Sequence, residues 1–163
     1  MKIPITINGE KIILDEAPEE KLLFVLRKRK LISVKIGCEE GKCGFCTVLL
    51  NDRPVSSCLI PVGIVKDCTI ETLEYFSKSP EYKDIEAGFS KAGMNLCGYC
   101  NSFKFFSVYR LLKDNYRPTR EQLLELAADD KCSCTEQGVF MNGILYATAK
   151  RHEREGRKKN VKD

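Results

Sequence analysis

Gly37-Cys38-Glu39-Glu40-Gly41-Lys42-Cys43-Gly44-Phe45-Cys46 carries three cysteines and three glycines, and Cys58 follows after eleven intervening residues. A C-x4-C-x2-C run with a distant fourth cysteine is the plant-type spacing for a [2Fe–2S] cluster. Three thiolates from one loop must converge on one small cluster, so the chain has to turn tightly and approach closely. Gly37, Gly41 and Gly44 permit both. Backbone N–H groups of such a loop also donate to cluster sulfurs and tune the potential. A structural zinc usually draws on two C-x2–4-C pairs instead. Four idle thiols in a glycine-rich loop would have no evident reason to be there. The spacing therefore predicts that Cys38, Cys43, Cys46 and Cys58 hold an iron–sulfur cluster.

Outward from this loop, the N-terminal part reads as α+β. Residues 2–7 alternate, Asn8-Gly9 follows, and Lys11–Leu14 is apolar-rich. Asn-Gly between two such runs predicts a hairpin, because both central residues of a type I′ turn need positive φ. Asp15-Glu16-Ala17-Pro18-Glu19-Glu20 reads as a helix start, with Asp15 as cap and Pro18 in the first turn. Leu22, Leu23, Val25 and Leu26 supply its buried stripe, and Arg27–Lys30 its cationic C-terminal end. Thr47–Leu50 reads as a strand, Asn51-Asp52 as a turn, Val55–Val65 as broken extended chain and Cys68–Leu73 as a last strand. The result is a β-grasp-like domain over residues 1–76.

Ser77-Lys78-Ser79-Pro80 reads as a linker. Beyond it, over 77–163, the periodicity becomes helical. Phe103–Leu112 follows Cys97-Gly98-Tyr99-Cys100, and Arg117-Pro118 ends that helix. Thr119 with Gln122 forms a capping box for the next one. Val139–Ala149 makes a final helix.

The second cysteine group is Cys97 and Cys100, then thirty-one residues, then Cys132 and Cys134. A CxxC before a helix also describes a thioredoxin-like redox site, but no βαβ pattern precedes it. Two pairs make a four-thiolate site. Each would sit at a helix N-terminus, where the dipole favours negative charge. Zinc remains an alternative for this group in isolation.

Composition bounds the remaining possibilities. The chain has 163 residues, nine cysteines, one His and no Trp. No apolar run reaches the roughly 20 residues a membrane helix needs, and the first residues lack a secretory hydrophobic region. A cytoplasmic setting with metal or redox use of the cysteines is expected. The formal charge of +4 equals that of Lys150–Asp163, which holds seven Lys/Arg and three Asp/Glu. This tail reads as a fraying helix end and solvated terminus. Without interleaved aromatics it is a poor nucleic-acid surface. Cys68 stands outside both groups and reads as a small buried hydrophobe.

With both groups in view, the chain resembles the small iron–sulfur subunit of the molybdenum hydroxylases, the xanthine dehydrogenase, aldehyde oxidase and carbon monoxide dehydrogenase group. The resemblance rests on both cysteine motifs, on Leu22–Arg27, and on Val55-Ser56-Ser57-Cys58-Leu59. It implies a plant-ferredoxin-like domain holding one [2Fe–2S] cluster on Cys38, Cys43, Cys46 and Cys58. It also implies an all-α, four-helix-bundle-like domain holding a second on Cys97, Cys100, Cys132 and Cys134. The implied role is electron transfer between a molybdopterin-binding large subunit and an FAD-binding medium subunit, with no catalytic centre of its own.

The chain departs from the family pattern in three places. Leu96 stands where a pterin-contacting Gln is common, Asn101-Ser102-Phe103 where Thr-Pro-Gly is common, and Cys132-Ser133-Cys134-Thr135-Glu136 where Cys-Arg-Cys-Thr-Gly is common. These departures motivate an alternative, a two-cluster carrier whose partner is not a molybdoenzyme. A zinc-stabilised interaction module is a third reading.

Overall fold

The computed structural model describes residues 1–160. Strands β1 (Lys2–Ile7) and β2 (Glu10–Asp15) pair antiparallel, from Lys2 opposite Asp15 to Ile7 opposite Glu10. Asn8 and Gly9 both take positive φ, 51° and 83°, as the turn requires. A second tight turn, Asn51-Asp52 at φ 47° and 67°, joins β3 (Thr47–Leu50) to β4 (Arg53–Ser56). β5 (Thr69–Glu71) lies in the middle of the sheet, parallel to β1 and antiparallel to β3, giving the order β2-β1-β5-β3-β4. Alternating Ile3, Ile5 and Ile7 face inward and meet Leu22, Leu23, Val25 and Leu26 of helix α1 (Leu22–Lys28). Those residues form the predicted buried stripe of a β-grasp core.

Helix α1 starts later than the sequence suggests. Asp15 is still in β2, and the next residues pair with the returning chain. Gly63 N donates to Pro18 O, Val62 N to Glu20 O and Leu22 N to Ile60 O, at 2.7–2.8 Å. Pairing across the molecule satisfies backbone groups that an earlier helix would have claimed. Val55–Val65 is broken as expected, with short 3-10 turns at Ser57–Leu59 and Val62–Ile64.

The helical part follows a single turn, α2 (Leu73–Phe76). Ser77–Pro80 is not a loose linker. Ser79 caps α3 (Pro80–Lys91), its Oγ accepting from Tyr82 N at 3.1 Å, with Pro80 as first helical residue. α4 (Asn101–Asp114) and α5 (Arg120–Asp129) follow, and α5 opens with the Thr119–Gln122 capping box. α6 (Gln137–Asn160) runs eleven residues past the predicted end at Ala149. Its basic stretch is held in the helix by ion pairs, Arg151–Glu155 at 3.0 Å within the helix and Arg154–Asp84 at 2.7 Å to α3. The last part of the expected solvated terminus, 161–163, lies outside the described residues. Among the described residues, no helix is long and apolar enough to cross a membrane.

α3 and α6 meet at Gly88, where a Cβ would lie 2.3 Å from Ala147 N and 2.6 Å from Gly143 O. The obstacle is backbone and cannot swing aside. Gly88→Ala should cost about 1–3 kcal/mol by overpacking. Denaturant melting checks this, and an unchanged midpoint would contradict the close approach.

α4 also crosses onto the sheet. Phe106 packs with Leu49 of β3 and Phe76 of α2. Farther along, Tyr109 donates to Asp52 at 2.8 Å, and Lys113 pairs with the same carboxylate.

Candidate metal centres

The first cysteine loop shows why its sequence is glycine-rich. A Cβ on Gly37 would lie 2.6 Å from Cys43 Sγ, so any side chain there would displace a thiol. Gly44 takes φ +76°, and a Cβ on it would lie 2.7 Å from the Phe103 ring. The turns aim N–H groups at sulfur. Cys38 Sγ accepts from Lys42 N and Cys43 N at 3.2 Å and from Glu40 N at 3.4 Å. Cys43 Sγ accepts from Cys38 N at 3.4 Å. Donation from Glu40, Cys43 and Lys42 lowers the Cys38 pKa to about 6, which favours the thiolate that binds metal. Cys46 and Cys58 are buried and in mutual contact. Burial, reinforced by Cys46, pushes the Cys58 thiol up to about 11. The Cys58 thiol would have to lose its proton on binding a metal, which makes loading of this site proton-releasing.

The second group is fully assembled. The sulfurs of Cys97, Cys100, Cys132 and Cys134 all lie within 4.8 Å of one another. Cys97 Sγ is 3.5 Å from Cys132 Sγ, and Cys100 Sγ is 3.4 Å from Cys134 Sγ. Cys100 is the residue that caps α4, and Cys134 lies in the turn leading to α6. Burial opposes ionisation of Cys134, yet Thr135, Cys97 and the neighbouring thiols outweigh it and lower its pKa to about 6. Burial raises the pKa of Cys100 well above that of an ordinary thiol. Four soft sulfur donors converge here with a helix N-terminus behind them, a donor set that suits a thiolate-bound metal centre and a dipole that favours the negative charge such a centre carries.

Two residues around this group were not singled out from the sequence. Lys104 is fully buried, its Nζ 2.8 Å from Asp130 Oδ2 and 3.8 Å from Cys134 Sγ. Asp130 Oδ1 accepts from Cys132 N at 3.1 Å. Burial works against the Lys104 charge, but Asp130 and Cys100 more than compensate and raise its pKa. The signal was present in the sequence: Lys104 lies four residues after Cys100 in a Phe-Lys-Phe-Phe run, on the same helix face.

The two loops touch. Phe45, between Cys43 and Cys46, meets Tyr99, between Cys97 and Cys100, edge to face with centroids 5.8 Å apart. Ser102 and Phe103, two of the residues that depart from the family pattern, face this junction. Ser102 is buried and donates to Ser33 O at 3.0 Å, and Phe103 packs on Gly44. Leu96 and Asn101 instead line an open cavity of about 560 Å³ with Tyr82, Phe89, Met94 and Phe105. Cys68 joins neither group; it is half-buried, not fully buried as expected, and packs on the edge of the β-grasp core.

Comparison with known proteins agrees with this architecture. Residues 5–64 match the family model of the 2Fe-2S iron-sulfur cluster binding domain, and residues 69–145 match that of the [2Fe-2S] binding domain. The nicotinate dehydrogenase small FeS subunit of Eubacterium barkeri is 36% identical over 146 residues, covering 89% of this chain and 93% of the relative. The xanthine dehydrogenase iron-sulfur-binding subunit of Escherichia coli O157:H7 is 32% identical over 145 residues, covering 88% and 91%. In Rattus norvegicus aldehyde oxidase 3 the match is 32% identical and spans 79% of this chain but 11% of that longer protein. Among solved structures, a chain of quinoline 2-oxidoreductase from Pseudomonas putida 86 superposes with a TM-score of 0.81 at 31% identity, covering 93% of this chain and 96% of that one. With two cysteine sets on a ferredoxin-like sheet and a helical bundle, the chain belongs to the small [2Fe–2S] iron–sulfur subunits of the molybdenum hydroxylases.

Proposed function

We propose that this chain passes single electrons between a molybdopterin-binding hydroxylase subunit and a flavin subunit or other acceptor. The observation that carries this reading is the direct Phe45–Tyr99 contact between two loops that each bear cysteines of a four-thiol set. Cys38, Cys43, Cys46 and Cys58 would hold one [2Fe–2S] cluster, and Cys97, Cys100, Cys132 and Cys134 the other. When bound, such clusters supply one-electron redox chemistry. The protein's own contribution is to orient sulfurs, donate N–H groups to them and keep water from the buried side of each set. We assign the ferredoxin-like domain to 1–76 and the helical domain to 77–163, with Ser77–Ser79 between α2 and α3.

The catalytic centre of the assembly would lie on the partner, as in a xanthine dehydrogenase-like complex. Relatives named as small or iron-sulfur-binding subunits support a separate large chain. The intracellular, cytoplasmic setting is proposed from nine unpaired cysteines. The alternative partner, one without molybdopterin, draws on Leu96 and Asn101 in the open cavity. It draws less on Ser102 and Phe103, whose contacts are spent inside the chain.

Iron and acid-labile sulfide analysis of anaerobically purified protein should give about four of each per chain. About two of each would mean that only one set is filled. A molybdenum-containing subunit should co-purify with it, and purification with a partner that lacks molybdenum would favour the alternative.

A further inference from the structure

We propose that Lys104 is a positioning residue for the second cysteine set, placing a fixed positive charge against its sulfurs and raising the reduction potential of the cluster held there. This rests on the assignment of Cys97, Cys100, Cys132 and Cys134 as ligands. Lys104 is fully buried, its Nζ 5.4 Å from the centre of the Phe140 ring. A charge taken out of water costs several kcal/mol, and an apolar residue of similar length would fill the same space at less cost. Packing therefore does not account for it. Its surroundings supply the reason. Asp130 holds the ammonium at 2.8 Å while its other oxygen takes the N–H of Cys132, so the ion pair and the Cys132-Ser133-Cys134 turn form one unit. The ammonium, not the carboxylate, meets the thiols, at 3.8 Å from Cys134 Sγ and in contact with Cys100.

The consequence follows from charge. Four thiolates make an oxidised [2Fe–2S] site anionic, and reduction adds one further negative charge. Lys104 keeps its proton throughout; the electron comes from the partner, and no bond forms or breaks on this chain. A cation at the sulfurs favours the more negative state. In a partly shielded interior the net effect, after the counter-ion, is about tenfold in the reduced-to-oxidised ratio at fixed ambient potential, about 59 mV for a one-electron couple.

The test is redox titration of the purified complex, each cluster followed by its own EPR signal. Lys104→Met should lower the midpoint of the helical-domain cluster by about that amount and leave the other unchanged. Because that variant strands a buried carboxylate, Lys104→Met/Asp130→Asn is titrated beside it. An amide at position 130 still accepts from Cys132 N, and the double variant should also titrate below the parent. Unchanged midpoints with the cluster present, or equal shifts in both clusters, would overturn the proposal. So would loss of the second cluster in both variants with the first retained, since Lys104 would then serve assembly. A parent protein that shows one cluster by iron count fails the ligand assignment itself, a separate outcome.

Discussion

Cys134→Ser should remove one cluster and spare the other. Iron should fall from about four to about two per chain, and one of two EPR signals should vanish. The hydroxyl is a poor substitute because iron–sulfur clusters are held by thiolates, and the Cys134 thiol ionises readily, its pKa lowered to about 6. Its sulfur also joins Cys100 at 3.4 Å, so its loss opens the site on the buried side. The first set draws on a separate loop, whose N–H donors come from Glu40, Lys42 and Cys43. Loss of both signals would show that the two sites cannot be filled independently.

Phe106→Ala should be the most destabilising single change outside the cysteine sets, at about 3–5 kcal/mol. Phe106 is fully buried and its ring lies 5.2 Å from Phe76, which also meets Tyr109 at 4.9 Å. Leu49 of the sheet closes the same cluster. Truncation leaves a cavity between sheet and bundle, so the two parts should unfold at separate denaturant concentrations where the parent should show one transition. Probes of the sheet and of the helices report this, and a single coincident transition shifted by less than about 1 kcal/mol would contradict it.

Much of this could be read locally. Asn8-Gly9 and the Thr119–Gln122 box announce their own geometry because turn and cap chemistry is short-range. Spacing singles out the eight cysteines, and the fold brings the sulfurs of Cys97, Cys100, Cys132 and Cys134 together. The departures lie where distant chain competes. Asp15–Glu20 looks like a helix start, but its carbonyls at Pro18 and Glu20 are claimed by Gly63 and Val62, more than forty positions away. Ser77–Pro80 combines linker-like residues with a helix cap, and only the downstream helix decides between them. A lysine in a helix is ordinarily solvated; the burial of Lys104 is set by Asp130 and Phe140, which arrive from other elements. The role of Ser102 and Phe103 was hidden for the same reason, since their partners Ser33 and Gly44 belong to the sheet side.

One helix links these observations. α4 begins at a cysteine of the second set, touches the first loop through Phe103, enters the shared aromatic cluster with Phe106 and ends at the β3–β4 turn through Tyr109 and Lys113. It serves as a ruler clamped at several points along its length. A tunnelling rate falls steeply with distance, so a hinge between the two cysteine loops would make electron passage wait on diffusion of one body against the other. The clamped helix removes that waiting step: the hop would be set by a fixed gap, and control of traffic would be left to the driving force between the two centres.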